Sequence, residues 1–159
     1  MSGAVVLQVC RGREWRGGER QVRLLVETLA CRSEFLQLVA TNRNGPLARL
    51  LYPSGPALLP LAWDLALDPR ALTGLCLGLR ELRVEHGRGI LLHAHDSHAL
   101  ALAAVAARLF HLPLVATRRS LSPPGRLWHL PHRVIAISAA VEEALRMSGL
   151  DPARIVRIP

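Results

Sequence analysis

The chain has 159 residues and a mass of 17.4 kDa, the size of one ordinary domain, and it can bury a core without disulfides or metals. Half of the residues are hydrophobic and a fifth are charged, a balance that excludes intrinsic disorder. Twenty basic residues against twelve acidic ones give +8, and every basic residue is an arginine, spread from Arg11 to Arg157; that differs from the clustered patch of a nucleic-acid binder and reads partly as compositional bias and partly as a preference for anionic partners such as phosphates, nucleotides or acidic lipid.

Residues 4–10 (AVVLQVC) read as a strand, followed by a polar, Gly-containing loop over 11–18. From Glu19 the period changes: Val22, Leu25, Val26 and Leu29 recur as on one face of an amphipathic helix over 19–30. Residues 36–41 read as a second strand, 42–46 as a turn, and 46–51 as a short helix broken by the Pro- and Gly-containing stretch 52–56. Residues 58–63 are a weak third strand. Asp68 and Pro69 open a helix that runs to about His86, with the aspartate as cap and the proline at the first position. Residues 89–94 (GILLHA) are a buried strand, and Asp96 or Ser97 caps a helix, apolar nearly all round, ending at Phe110. A strand over 113–117, a Pro-rich loop over 118–131 and a strand over 133–137 follow; Ser138 then caps a helix ended by Gly149, with Glu142 and Glu143 in its early turns. Residues 155–158 begin one more strand. Alternation of this kind, with continuously apolar strands, predicts a doubly wound α/β fold with a mostly parallel sheet, covered on both faces.

The odd set Cys10, Cys31 and Cys76 fits buried thiols in a reducing compartment better than a disulfide framework or a zinc knuckle. The N-terminal apolar run lacks the basic region and the length of a signal peptide, and the longest apolar stretch, 99–107, is far shorter than a membrane span. A cytoplasmic protein is expected, with a peripheral membrane contact left open.

In doubly wound sheets ligands bind beyond the carboxyl ends of the strands, and three loops there carry chemistry. The first ends in Gly17-Gly18-Glu19 at a helix start, where bare backbone amides suit a phosphate; it is not the G-x-G-x-x-G dinucleotide pattern, and a plain flexible turn explains two glycines equally well. The second, His93-Ala94-His95-Asp96-Ser97-His98, admits three readings. It could be a metal site, although Asp96 stands one position early for the H-x-H-x-D-H zinc pattern. It could line a sugar pocket through one or two histidines. Or His93 is core and Asp96 only caps the helix. The third loop begins Thr117-Arg118-Arg119, and adjacent arginines at a strand end can clamp a phosphate or carboxylate or can simply be solvated.

Taken in order, strand–G-G-E–helix, H-A-H-D-S-H, L-V-A-T-R-R, R-V-I-A-I-S-A-A-V and P-A-R-I-V-R-I-P resemble the N-terminal half of a family 4 glycosyltransferase; the similar pieces are residues 14–21, 93–98, 113–119, 133–141 and 152–159. The resemblance implies the GT-B fold, two Rossmann-like domains with a cleft between them, of which residues 1–159 would be the acceptor-side half. It places Gly17, Gly18 and Glu19 beside the donor phosphate or transferred sugar. His95, Asp96 and His98 come to the cleft floor as the catalytic loop, and Arg118 and Arg119 to the acceptor side. A nucleotide-sugar is implied as donor, a saccharide or lipid-linked sugar as acceptor, and neither metal nor other cofactor. A donor-binding C-terminal domain is implied in cis; its acidic motif has no counterpart in residues 1–159, which alone are expected to be inactive. Carbohydrate biosynthesis for the cell envelope, in the cytoplasm or peripheral to the inner face of the membrane, is the corresponding setting. The alternatives are a stand-alone anion-binding module or partner subunit and a divergent zinc hydrolase.

Overall fold

A computed structural model describes residues 4–32, 34–51, 57–87 and 89–159; the predicted break at 52–56 lies outside the described residues. The elements in chain order are β1 (Ala4–Val9), α1 (Gly17–Ala30), β2 (Phe35–Asn42), α2 (Pro46–Leu51), β3 (Ala57–Leu61), α3 (Pro69–His86), β4 (Ile90–Ala94), α4 (Ser97–Phe110), β5 (Leu114–Arg118), a 3-10 turn (Arg126–His129), β6 (Arg133–Ala136), α5 (Ala139–Met147), a second 3-10 turn (Pro152–Arg154) and β7 (Ile155–Arg157). All seven strands are parallel, in the order β3-β2-β1-β4-β5-β6-β7. The predicted doubly wound sheet is therefore present. Its order reverses between β1 and β4, the place where such sheets open a crevice.

Period-two alternation along the strands sends side chains to two cores. Val5, Leu7 and Val9, with Ile90, Leu92 and Ala94, pack on one face against Leu75 and Leu79 of α3, Leu100 and Ala103 of α4 and Leu145 of α5. Cys10 and Val39 pack on the other against Val22 and Val26 of α1 and Leu47 and Leu51 of α2. Pro60 sits in β3, an edge strand, where its missing N–H breaks no interior ladder.

Capping follows the sequence at three helices: Asp68 accepts from the Arg70 amide, Asp96 from Ala99 and Ser138 from Val141. The start of α1 differs from expectation. The helix begins at Gly17, two residues before Glu19, so both glycines belong to its first turn and not to the loop. The Pro-rich connection over 118–131 also departs, since Arg126–His129 forms a 3-10 turn that buries Trp128. Of the three cysteines only Cys10 is buried; Cys31 is exposed at the end of α1 and Cys76 half-buried, which corrects the expectation of three buried thiols. Among the described residues, no helix is long and apolar enough to cross a membrane.

Candidate functional site

The three loaded loops meet beyond the carboxyl ends of β1, β4 and β5. The amide of Arg11, just after β1, donates to Asp96 Oδ2 at 3.0 Å, and the other oxygen of Asp96 caps α4 through Ala99 at 2.8 Å. Asp96 thus ties two loops together with both oxygens engaged. His98, in the first turn of α4, is exposed, with Nδ1 3.8 Å from Asp96 Oδ1.

His93 in β4 and His95 just after it have ring centroids 4.0 Å apart, and both are buried, at 7% and 4% exposure. His93 Nε2 pairs with Thr117 Oγ1 at 2.8 Å. His95 Nε2 meets Gln8 Oε1 at 2.6 Å, and its Nδ1 faces Arg119 Nη2 at 3.2 Å. Gln8, fully buried in β1, donates through Nε2 to Gln37 Oε1 of β2 at 2.9 Å. Burial, and then the Arg119 cation, lower the His93 pKa from 6.5 to about 4. Burial, His93 and Arg119 hold His95 well below its ordinary value. Both imidazoles are therefore neutral at physiological pH. Both ring nitrogens of His95, and Nε2 of His93, are thus engaged with neighbouring side chains. Among the described residues no group of three or more His, Cys, Asp or Glu side chains is placed to hold a metal ion.

Alternation splits the two arginines. Arg118 turns into the α3/α4 side, 4% exposed, where it donates to the Ser122 carbonyl and lies 4.6 Å from the Trp128 ring centroid. Arg119 turns the other way, donating through Nη1 to the His95 carbonyl and through Nε to Gln21 Oε1 at 2.6 Å. The predicted clamp of adjacent arginines is not formed, because neighbouring residues at a strand end face opposite sides of the sheet. Burial pulls the Arg119 guanidinium below its ordinary value, opposed by Cys10, Asp96 and Glu19.

Arg119 reaches the first turn of α1. A side chain built on Gly18 would start 3.8 Å from Arg119 Nη1, whereas one on Gly17 would meet nothing within 4 Å. Arg16 is the N-cap of α1, and its guanidinium has no acceptor to offer the first amides. Glu19 folds back and accepts from the Arg16 amide at 3.0 Å. A corner results in which helix-start amides and one half-buried guanidinium come together, with the Glu19 and Asp96 carboxylates alongside. Beneath it Cys10 is buried, its thiol pushed up by burial and by Asp96 and Glu19, so it offers no thiolate nucleophile.

The structure thus joins Gly18, Glu19, His95 and Arg119 in one cluster, with Asp96 bridging its loops. It sets Arg118 apart. Gln8, Gln37 and Gln21 complete the cluster and are not among the residues singled out from the sequence. The available signal was a lone amide in each of two apolar strands, AVVLQVC and FLQLVA.

The model of Glycosyltransferase Family 4 matches residues 15–159. The chain belongs to glycosyltransferase family 4. None of the curated protein sequences compared with it matches. Among solved structures, HepE from Anabaena in complex with UDP-glucose superposes with a TM-score of 0.76 at 19% identity, covering 98% of this chain and 43% of that one. A glycosyltransferase from Rickettsia africae gives 0.75 at 14% identity, covering 99% and 43%. A UDP-GlcNAc 2-epimerase from Neisseria meningitidis, bound to UDP-GlcNAc, gives 0.65 at 14% identity, covering 96% and 45%. These likenesses show a shared Rossmann-like GT-B half. This family 4 chain spans less than half the length of the structures it matches.

Proposed function

We propose that this family 4 chain forms the acceptor-side half of a glycosyltransferase cleft that uses a nucleotide-sugar donor. One observation carries the reading: a half-buried arginine, Arg119, is held by His95 against the start of a helix whose cap residue leaves the first amides to another partner. Amides, helix dipole and guanidinium all favour the same occupant, an anion such as the diphosphate of a donor or the phosphate of a lipid-linked acceptor. Preorganised donors at that point stabilise negative charge as it develops on a departing diphosphate, with no need for a protein nucleophile or a metal.

The same geometry refines the roles implied by resemblance. Gly17 and Gly18 keep the corner open to the anion, and Glu19 closes the helix start. Neutral His95 acts through Arg119 and not as a general base, because both ring nitrogens are engaged. Asp96 fixes the loops. His98 is the exposed member of the catalytic loop, free to meet a sugar hydroxyl. Of the two arginines proposed for the acceptor side, Arg119 lines the cleft and Arg118 supports it from behind. A lipid-linked acceptor would set the protein at the inner face of a membrane, where the arginine surplus favours an acidic surface. The donor-binding half is proposed to be supplied by a second domain, as the length of the matched structures supports.

The test is donor-dependent sugar transfer by the complete two-domain enzyme carrying Gly18→Val. A valine there stands between the amides and the anion and crowds Arg119, so transfer should fall at least tenfold (about 1.4 kcal/mol) with Tm nearly unchanged. Full transfer by the variant would reject the anion site at this corner.

A further inference from the structure

Gln8 is a fully buried amide in an apolar strand, bonded to a histidine that itself holds the site arginine. We propose that Gln8 is a positioning residue: with Gln37 behind it, it fixes the proton of His95 on Nε2, leaving Nδ1 as the acceptor that holds the Arg119 guanidinium at the start of α1. The consequence for anion binding rests on the function proposed above; the proton placement does not.

The direction of each bond follows from which groups can donate. A guanidinium has only donors, so the His95 nitrogen 3.2 Å from Arg119 Nη2, Nδ1, must offer its lone pair. In a neutral imidazole the proton is then on Nε2, which faces Gln8 Oε1 at 2.6 Å. Gln8 can present that oxygen because its NH2 is turned to Gln37 Oε1 at 2.9 Å. If the Gln8 amide turned over, its NH2 would demand a lone pair on Nε2, moving the proton to Nδ1 against a cation. The Gln37 amide would have to turn over with it to avoid facing one carbonyl to another. With the donor-only guanidinium at one end, this polarity alone pairs every group from Arg119 through His95 to Gln8. The row ends at Gln37 Nε2, which is buried with no hydrogen-bond partner among the described residues. An apolar residue would pack more cheaply in β1 than a buried glutamine. The amide is accounted for by the histidine it orients.

The experiment uses long-range proton–nitrogen NMR on protein labelled at histidine and arginine, with inorganic pyrophosphate as the anion probe. In the unaltered protein His95 should show the Nε2–H tautomer, and the Arg119 Nε–H should exchange slowly with solvent. Gln8→Met keeps the length and removes the acceptor. It should mix or broaden the His95 signals, speed Arg119 exchange, and weaken pyrophosphate binding by about five- to tenfold, the worth of one hydrogen bond. Gln37→Met, which frees the Gln8 amide to turn, should do the same to a smaller degree. An Nδ1–H or doubly protonated His95 in the unaltered protein overturns the proposal even if neither variant folds. So does a folded Gln8→Met protein with His95 and Arg119 signals unchanged. If pyrophosphate fails to bind while the unaltered protein shows Nε2–H and a protected Arg119, the relay stands and the anion-binding reading falls.

Discussion

Arg118 and Arg119 are neighbours in sequence with opposite tasks. On the proposed function, truncating Arg119 removes charge-assisted hydrogen bonding to the anion, an effect of about 1.5–3 kcal/mol, roughly 10- to 150-fold in affinity. Arg119→Ala should therefore weaken nucleotide-sugar binding on that scale, measured by titration on the folded variant. Arg118→Ala should do the reverse: it removes the stacked cation over Trp128 and a buried stem, so Tm should fall while binding changes little. The buried histidines add a pH signature. Their folded pKa values lie below the unfolded value of 6.5, His93 at about 4. The unfolded chain therefore takes up protons that the native state refuses, and stability present above pH 6.5 is lost as the pH falls toward 4. His93 contributes a slope of about 1.4 kcal/mol per pH unit in that window, and His95 acts in the same direction. Denaturant melts at stepped pH should show this decline, flattened in His93→Gln; an unchanged slope in that variant would mean His93 is not neutral in the folded state.

At the scale of elements, the glycines separate packing from ligand access. Gly45 in the turn before α2 lies so close to the loop after β1 that an added Cβ would collide with the Gly12 carbonyl oxygen. Gly12 itself sits at φ +59°, with Thr41 Oγ1 2.5 Å from where its Cβ would be. Backbone cannot yield as a side-chain tip can, so Gly45→Ala should cost about 2 kcal/mol or more by overpacking. Gly18→Ala meets only Arg119 Nη1 at 3.8 Å and should leave the denaturation midpoint in place. Equal destabilisation by the two substitutions would place Gly18 in the fold's own packing. The sequence made the elements legible because their signals are local: the Val22–Leu29 period of α1, the Asp68-Pro69 start of α3, the Ser138 cap of α5. The exact start of α1 was not legible, since Gly17 and Gly18 have low helix propensity and the turn is held by Glu19 reaching back to Arg16. Nor was the 3-10 turn at Arg126–His129, which burial of Trp128 accompanies against the proline-rich pattern around it.

For the whole molecule, the parallel sheet and its switch point follow from strand–helix alternation, and they determine which loops can meet. The sequence could name His95, Gly18 and Arg119 as candidates because each follows a strand or opens a helix. It could not show that Arg118 turns away, which depends on the register at which β5 ends, or that Gln8 stands behind His95, which depends on β1 lying beside β4 with Gln8 level with His93. On the proposed function, the corner formed by α1, His95 and Arg119 receives the anionic part of a nucleotide-sugar or its acceptor. The measurement that tests it most directly is titration of the labelled complete protein, donor-binding half included, with inorganic pyrophosphate, following the backbone amides of Gly17, Gly18 and Glu19 together with the Arg119 Nε–H. Saturable shifts concentrated on those four reporters, and lost in Arg119→Ala, are the predicted result; saturable shifts elsewhere with these reporters silent, or no shifts at all, would contradict it.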